Sequence, residues 1–290
     1  MYDPAALRAL QAILSTGSFD GAAAQLHVTQ SAVSQRLKSL EDRVGTALLR
    51  RSRPPEPTEA GLRLLAFAEA VGLLERDLAR DLQGLLPERA APVRIAVTAD
   101  SLSTFVIPAL AAVPGLLYDL VIDDQDHSAD LLRAGTVAAA ITADDRPLPG
   151  CDAIPLGPLV YVAFASPGFV DRHFRLGVNA DSLAAAPALT FDRKDRLQRA
   201  WAEEAAGRPV AFPTHYVPST YAITEAARAG IGWAVNPAGM IAPYFEDGSL
   251  VALVPGLTLE TPLSWQVTRQ VKPALAGLTA ALRKAAAAVG

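Results

Sequence analysis

The chain holds a single cysteine, Cys151, among its 290 residues. One thiol excludes an intramolecular disulfide and any cysteine-rich zinc site, and it fits a reducing compartment. With no resolving partner, Cys151 reads as a packed or surface thiol. No stretch reaches the ~18 uncharged apolar residues that a membrane span requires. The opening MYDPAALRAL lacks the basic and then apolar run of a secretory signal, so the cytoplasm is the expected location. Four histidines, His27, His127, His173 and His215, are scattered without metal-ligand spacing, and no metal site is expected. A P-loop, a Gly-x-Ser-x-Gly elbow and a supported Ser-His-Asp set are missing too. The Gly-x-Gly of AGIGWAV, 229–235, reads as a helix end and turn, because it follows a helix and enters a strand. Neither catalysis nor a cofactor is expected.

At 51% hydrophobic and 19% charged residues the composition is that of a globular protein, long enough for two or three cores. The net charge of −4 hides a local reversal. Between Gln30 and Arg53 six cations (Arg36, Lys38, Arg43, Arg50, Arg51, Arg53) stand against two acids, Glu41 and Asp42, a balance of +4. The N-terminal region is locally basic inside an acidic chain.

Three short helices are predicted over Pro4 to Ser15, about Phe19 to Leu26 and about Gln30 to Val44, broken at TGSF and HVT. The basic, proline-ended run from Thr46 to Pro57 predicts a short β-ribbon, after which Thr58 caps a long helix. On that helix Leu64, Phe67, Val71, Leu74, Leu78, Leu82 and Leu85 recur every three or four residues. Such a seam suits pairing with a second copy, and it also fits an amphipathic helix laid on its own domain. GLLPERAAPV ends the helix. Beyond it, apolar runs such as VRIAVTA, YDLVID, VAAAIT, LVYVAFA, PALTF, THYVP, GWAVNP and LSWQVT alternate with helical segments. The expected class is α/β with a largely parallel sheet, closed by an Ala-rich helix that packs back on it.

At 100° per residue, Val33, Leu37, Leu40 and Val44 form one apolar stripe of the third helix, and Ser31, Ser34, Gln35 and Lys38 lie nearly opposite. Gln30 sits in the first turn and Arg36 flanks the stripe. Any solvated helix shows polar residues outside. This face, however, carries only groups that can donate hydrogen bonds and no carboxylate, which suits base edges and phosphates. Arg50, Arg51 and Arg53 in the ribbon are placed to grip flanking phosphates or the minor groove.

The run GSFDGAAAQLHVTQSAVSQRLKSLEDRVGTALLRR, followed by PTEAG, resembles the winged helix-turn-helix of LysR-type transcriptional regulators. The long helix and the α/β remainder match that family end to end. The resemblance implies a DNA-binding domain over 1–58 and a linker, dimerisation helix and hinge over 59–91. It further implies a two-lobed effector-binding domain over 92–290, similar to periplasmic solute-binding proteins, with lobe I at about 92–160 and 265–290 and lobe II at about 161–264. Implied partners are double-stranded promoter DNA, RNA polymerase, a small-molecule effector and further copies of the chain, as homodimer or homotetramer. PPEPT, TADSLSTF, DDQDHSADLLRAG and THYVPST resemble the ArgP/LysG branch, which implies lysine or arginine as effector and control of amino-acid export or metabolism genes. Phe105 departs from that branch, which tends to have tryptophan there.

The residues carry an argument for the ligand as well. In RIAVTADSLSTFVIPAL a strand enters a helix that Asp100 or Ser101 can cap, and free amides with the Ser101, Ser103 and Thr104 hydroxyls would suit a carboxylate. A plain capped helix explains the same residues. Asp123, Asp124 and Asp126 end the next strand, where ligands gather in open sheets, and Asp123 or Asp124 could pair with a ligand cation. A solvated acidic loop is the other reading. Asp192, Ser219 and Thr220 are the expected contributions of the second lobe. Two other functions stay open: the same regulator sensing a different small carboxylate, and a solute-binding or enzymatic α/β protein whose basic N-terminus docks a partner.

Overall fold

The computed structural model describes residues 2–50, 52–81, 91–122, 128–143 and 145–289. Each helix of the head starts on a side-chain cap that satisfies an amide with no partner in the helix. Asp3 accepts from Ala5 before α1 (Pro4–Thr16), Ser18 from Gly21 before α2 (Phe19–Leu26), and Thr29 from Ala32 before α3 (Gln30–Val44). Leu10, Ile13, Ala22, Val33 and Leu40 meet in a closed core with at most 2% exposure. The ribbon is the antiparallel pair β1 (Leu49–Arg50) and β2 (Glu56–Pro57).

Thr58 ties the ribbon to α4 (Glu59–Asp81). Its amide and hydroxyl donate to the Leu48 and Ala47 carbonyls at 2.9 and 2.8 Å, and its oxygen accepts from the Gly61 amide. A Cβ on Gly61 would lie 2.0 Å from the Leu48 carbonyl oxygen, so only glycine admits this approach.

The C-terminal domain begins with β3 (Ala91–Val97) and a helical stretch, 99–111, built from α5 (Ala99–Ser101), a π-helical turn (Leu102–Val106) and α6 (Ile107–Ala111). It continues through β4 (Leu116–Ile122), α7 (Ser128–Arg133), β5 (Ala139–Thr142), β6 (Cys151–Ala165), α8 (Pro167–His173), α9 (Ala180–Ala185) and β7 (Ala188–Thr190). Then follow α10 (Leu197–Ala206), β8 (Thr214–Tyr216), α11 (Thr220–Arg228), β9 (Ala234–Pro237), α12 (Ala238–Glu246), β10 (Val251–Ala252), β11 (Thr258–Thr268) and α13 (Ala276–Ala286). All eight apolar runs singled out in the sequence are strands. The main sheet runs β10-β6-β11-β5-β3-β4, with β9 also on β6, while β7 and β8 form a separate parallel pair.

The largely parallel sheet expected from the sequence is not what forms. Only β4 and β5, both beside β3, pair in parallel in the main sheet; β6 and β11 are antiparallel to each other, as are β11 with β5 and both β9 and β10 with β6. The chain leaves the first half of the domain along β6 and returns along β11, and a pair that goes out and back is antiparallel. Strand-like periodicity carries no direction, so the sequence pattern could not show this.

The seam expected on α4 is divided. Leu64, counted as part of it, is 8% exposed in the head core with Ala68, because the start of α4 closes over α1. Leu73 is fully buried in the core of the C-terminal domain. Phe67, Leu74 and Leu78 stay 45–55% exposed, and Leu82 lies outside the described residues. Among the described residues no helix is long and apolar enough to cross a membrane.

Where α4 packs on β3, Arg76 donates to the Pro114 carbonyl at 2.9 Å, and Glu69 is 8% exposed. Burial pushes the Glu69 carboxyl up to about 7; Arg94 pulls it down and Asp119 adds to the rise. Arg94 Nε lies 2.9 Å from Asp119 without hydrogen-bond alignment. A raised acid makes folding favour the protonated form: this contribution is intact below about 4.5 and is lost as pH rises through about 7. A Glu69→Gln chain should therefore melt with a flatter pH profile across that window. At pH 8 it should be more stable by an amount on the order of 3 kcal/mol. Melting curves from pH 5 to 8 that matched those of the parent would contradict the assignment.

Candidate functional site

On α3 the inner stripe is closed, with Val33, Leu37 and Leu40 at 0%, 6% and 2% exposure. The outer face assembles as the helical spacing predicts: Gln30, Ser31, Ser34, Gln35 and Lys38 are exposed and Arg36 is half-buried. Of the two acids near the C-terminal end, Glu41 turns inward and accepts from the Leu48 amide at 2.8 Å, anchoring the start of the ribbon. Arg43 turns back over the Tyr2 ring, 5.7 Å from its centroid, and so leaves the reading face. Arg50 and Arg53 project from the ribbon, both exposed, while Arg51 lies outside the described residues. The result is a cationic, donor-rich face beside a helix N-terminus, suited to a groove and its phosphates.

The start of the C-terminal domain differs from expectation. The cap of the 99–111 helical stretch is Thr98, not Asp100 or Ser101: its oxygen accepts from the Ser101 amide at 3.1 Å and its hydroxyl donates to Ser101 Oγ. Ser101 is fully buried. Ser103 and Thr104 donate to the Ala99 and Asp100 carbonyls at 2.8 Å, four residues back. Hydroxyls in a helix find those carbonyls readily, so these two point their protons into the helix rather than at an anion. Phe105, where the sequence departs from the ArgP/LysG pattern, is 2% exposed within the core.

Freed from capping, Asp100 does something else. Its carboxylate accepts from the Tyr161 hydroxyl at 3.0 Å and from the Thr220 hydroxyl at 2.9 Å, joining α5 to β6 and to the first residue of α11. Burial pushes the Asp100 carboxyl above its ordinary value; the Thr220 and Tyr161 hydrogen bonds oppose the rise, and the charge of Asp195 adds to it. Asp195 is itself pushed up by burial, against hydrogen bonds from the Leu197 and Phe191 amides and with Asp192 adding negative charge. Gln198 beside it is 1% exposed, and its Oε1 has no hydrogen-bond partner. A junction of this kind, rich in acceptors and negative charge, fits a ligand that brings cationic donors.

Two of the other expected contributors serve the local chain. Asp192 accepts from the Lys194 and Asp195 amides, and Ser219 caps α11 at Ala222. Asp123, Asp124 and Asp126 lie outside the described residues. Tyr161 and Asp195 were not singled out from the sequence. Tyr161 sits in an apolar strand run and Asp195 in the charged run FDRKD, and neither setting carries a local sign of a site.

The reading face can be tested by base-substituted operators. Gln30→Ala or Ser34→Ala should relax preference at individual base pairs, whereas Arg50→Ala should weaken binding to all sequences and lower the salt slope by about 1. Unchanged operator binding in all three variants would remove the face from consideration.

Residues 4–62 match the family model "Bacterial regulatory helix-turn-helix protein, lysR family", and residues 88–287 match "LysR substrate binding domain". The HTH-type transcriptional regulator LysG of Mycobacterium tuberculosis is 42% identical over 280 residues, covering 97% of this chain and 92% of the relative. The crystal structure of ArgP from Mycobacterium tuberculosis is similar with a TM-score of 0.79 at 41% identity, covering 100% of this chain and 98% of that one. Full-length LysG from Corynebacterium glutamicum with bound effector Arg is similar with a TM-score of 0.66 at 35% identity, covering 99% and 98%. With a helix-turn-helix head and an effector-domain match that together span nearly its whole length, the chain belongs to the LysR family of bacterial transcriptional regulators.

Proposed function

We propose that this LysR-type regulator acts in the cytoplasm and binds a basic amino acid, lysine or arginine, between the lobes of its effector domain, thereby controlling amino-acid export or metabolism genes. The DNA-binding head is placed at 1–58, the linker at 59–91 and the effector domain at 92–290, with lobe I at about 92–160 and 265–290 and lobe II at about 161–264. The observation that carries the reading is Asp100, an enclosed carboxylate where α5, β6 and α11 meet, whose charged neighbour is another acid. Asp123 or Asp124, both outside the described residues, is a further proposed partner for the ligand's cation. The Arg-bound relative supports the choice of ligand. Ligand binding shifts the lobes, the linker helices carry the shift to the heads, and the spacing of the heads on promoter DNA changes the engagement of RNA polymerase.

The exposed Phe67, Leu74 and Leu78 of α4, with Val71 beside them, supply the contact of a homodimer or homotetramer. Leu74→Glu combined with Leu78→Glu should halve the mass seen by light scattering. A parent that is already monomeric would rule out that contact. Titration calorimetry of the full-length protein with arginine, lysine, alanine and glutamate tests the effector: binding of the two basic amino acids alone is expected, and binding of glutamate in their place overturns the assignment.

A further inference from the structure

We propose that Tyr161 is the positioning residue that holds Asp100 as the carboxylate meeting the effector's cationic side chain, with Thr220 as the matching donor across the junction. The inference rests on the reading that the effector is a basic amino acid. Tyr161 stands on β6 opposite Leu259 of β11. A phenol has one proton, and Tyr161 donates it to Asp100 at 3.0 Å. Tyr161 is 1% exposed, and burial together with the Asp100 charge pushes its phenol up, so it stays a donor.

Two hydroxyl donors therefore converge on Asp100, Tyr161 from β6 and Thr220 from α11. The groups facing Asp100 are Tyr161 from β6, Thr220 from α11 and Asp195 from the turn before α10. Burial and the Asp195 charge drive Asp100 toward its neutral form, while the two hydroxyl donors hold it ionised. A neutral Asp100 would no longer favour a cation over its uncharged analogue. Discrimination by charge therefore depends on hydroxyls that need not touch the ligand.

The test is titration calorimetry of the full-length protein with arginine and its neutral analogue citrulline from pH 6 to 8.5. The parent should prefer arginine, and Asp100→Asn should abolish that preference. Tyr161→Phe raises the Asp100 carboxyl further, so arginine affinity should fall about ten-fold at pH 7, recover as pH rises, and leave citrulline affinity unchanged. Thr220→Val should shift the profile in the same direction, and it serves where Tyr161→Phe fails to fold. A purely structural Tyr161 would instead lower stability and weaken both ligands alike at every pH. Arginine binding by the parent with an unchanged or pH-independent profile in these two variants overturns the positioning role alone. Absence of arginine and lysine binding by the parent overturns the effector reading, and the positioning role with it.

Discussion

The effector domain depends on the pairing of β6 with β11, which stays in contact from Thr258 opposite Val162 to Thr268 opposite Cys151, with one irregularity at Leu263/Ser264. Every other strand of the main sheet is attached to one end of this pair or the other. β5 joins β11 and carries β3 and β4 beyond it; β9 and β10 join the far half of β6. A long antiparallel pair twists along its length, so it can link two half-sheets at an angle to each other. β6 of this pair carries Tyr161, which brings one of the two hydrogen bonds to Asp100; the other comes from Thr220 of α11.

A second constraint is that one helix is shared between two cores. Leu64 and Ala68 complete the head, and Leu73, little more than a turn later, is sealed into the effector domain. The register of α4 therefore ties head to effector domain over a few residues. The buried Glu69 lies between those anchors, where full solvation is denied to it. Residues on the opposite side of α4 keep their apolar surface uncovered, and a seam exposed in this way is available to a second copy.

Much of the head was legible in the sequence because its information is local. Caps, breaks and the 3.6-residue period placed α1 to α3 to within a residue, and the donor-rich face of α3 follows from the same period. The cleft was legible only in part. Asp100 and Thr220 were both singled out, but as members of an anion site and a closing lobe, since a strand entering a helix suggests a cap and a carboxylate receptor. Which side chain caps depends on where the helix starts, and it starts at Ala99, two residues before an Asp100 cap would start it, so Thr98 is the cap. Tyr161 and Asp195 carried no local signal at all.

The amino-acid sequence by itself determined the order of elements, the basic reading helix, the apolar seam and the strand-forming runs, because each depends on neighbours within a turn or a strand. Only the tertiary structure decided the direction of β6 and β11, the assignment of Leu64 to a core rather than a seam, and the meeting of Asp100 with Tyr161 and Thr220. Asp100 and Thr220 are 120 residues apart in the chain. The physical reason is that a hydrogen bond between distant residues is fixed by how the sheet folds back on itself, and no periodicity along the chain records that.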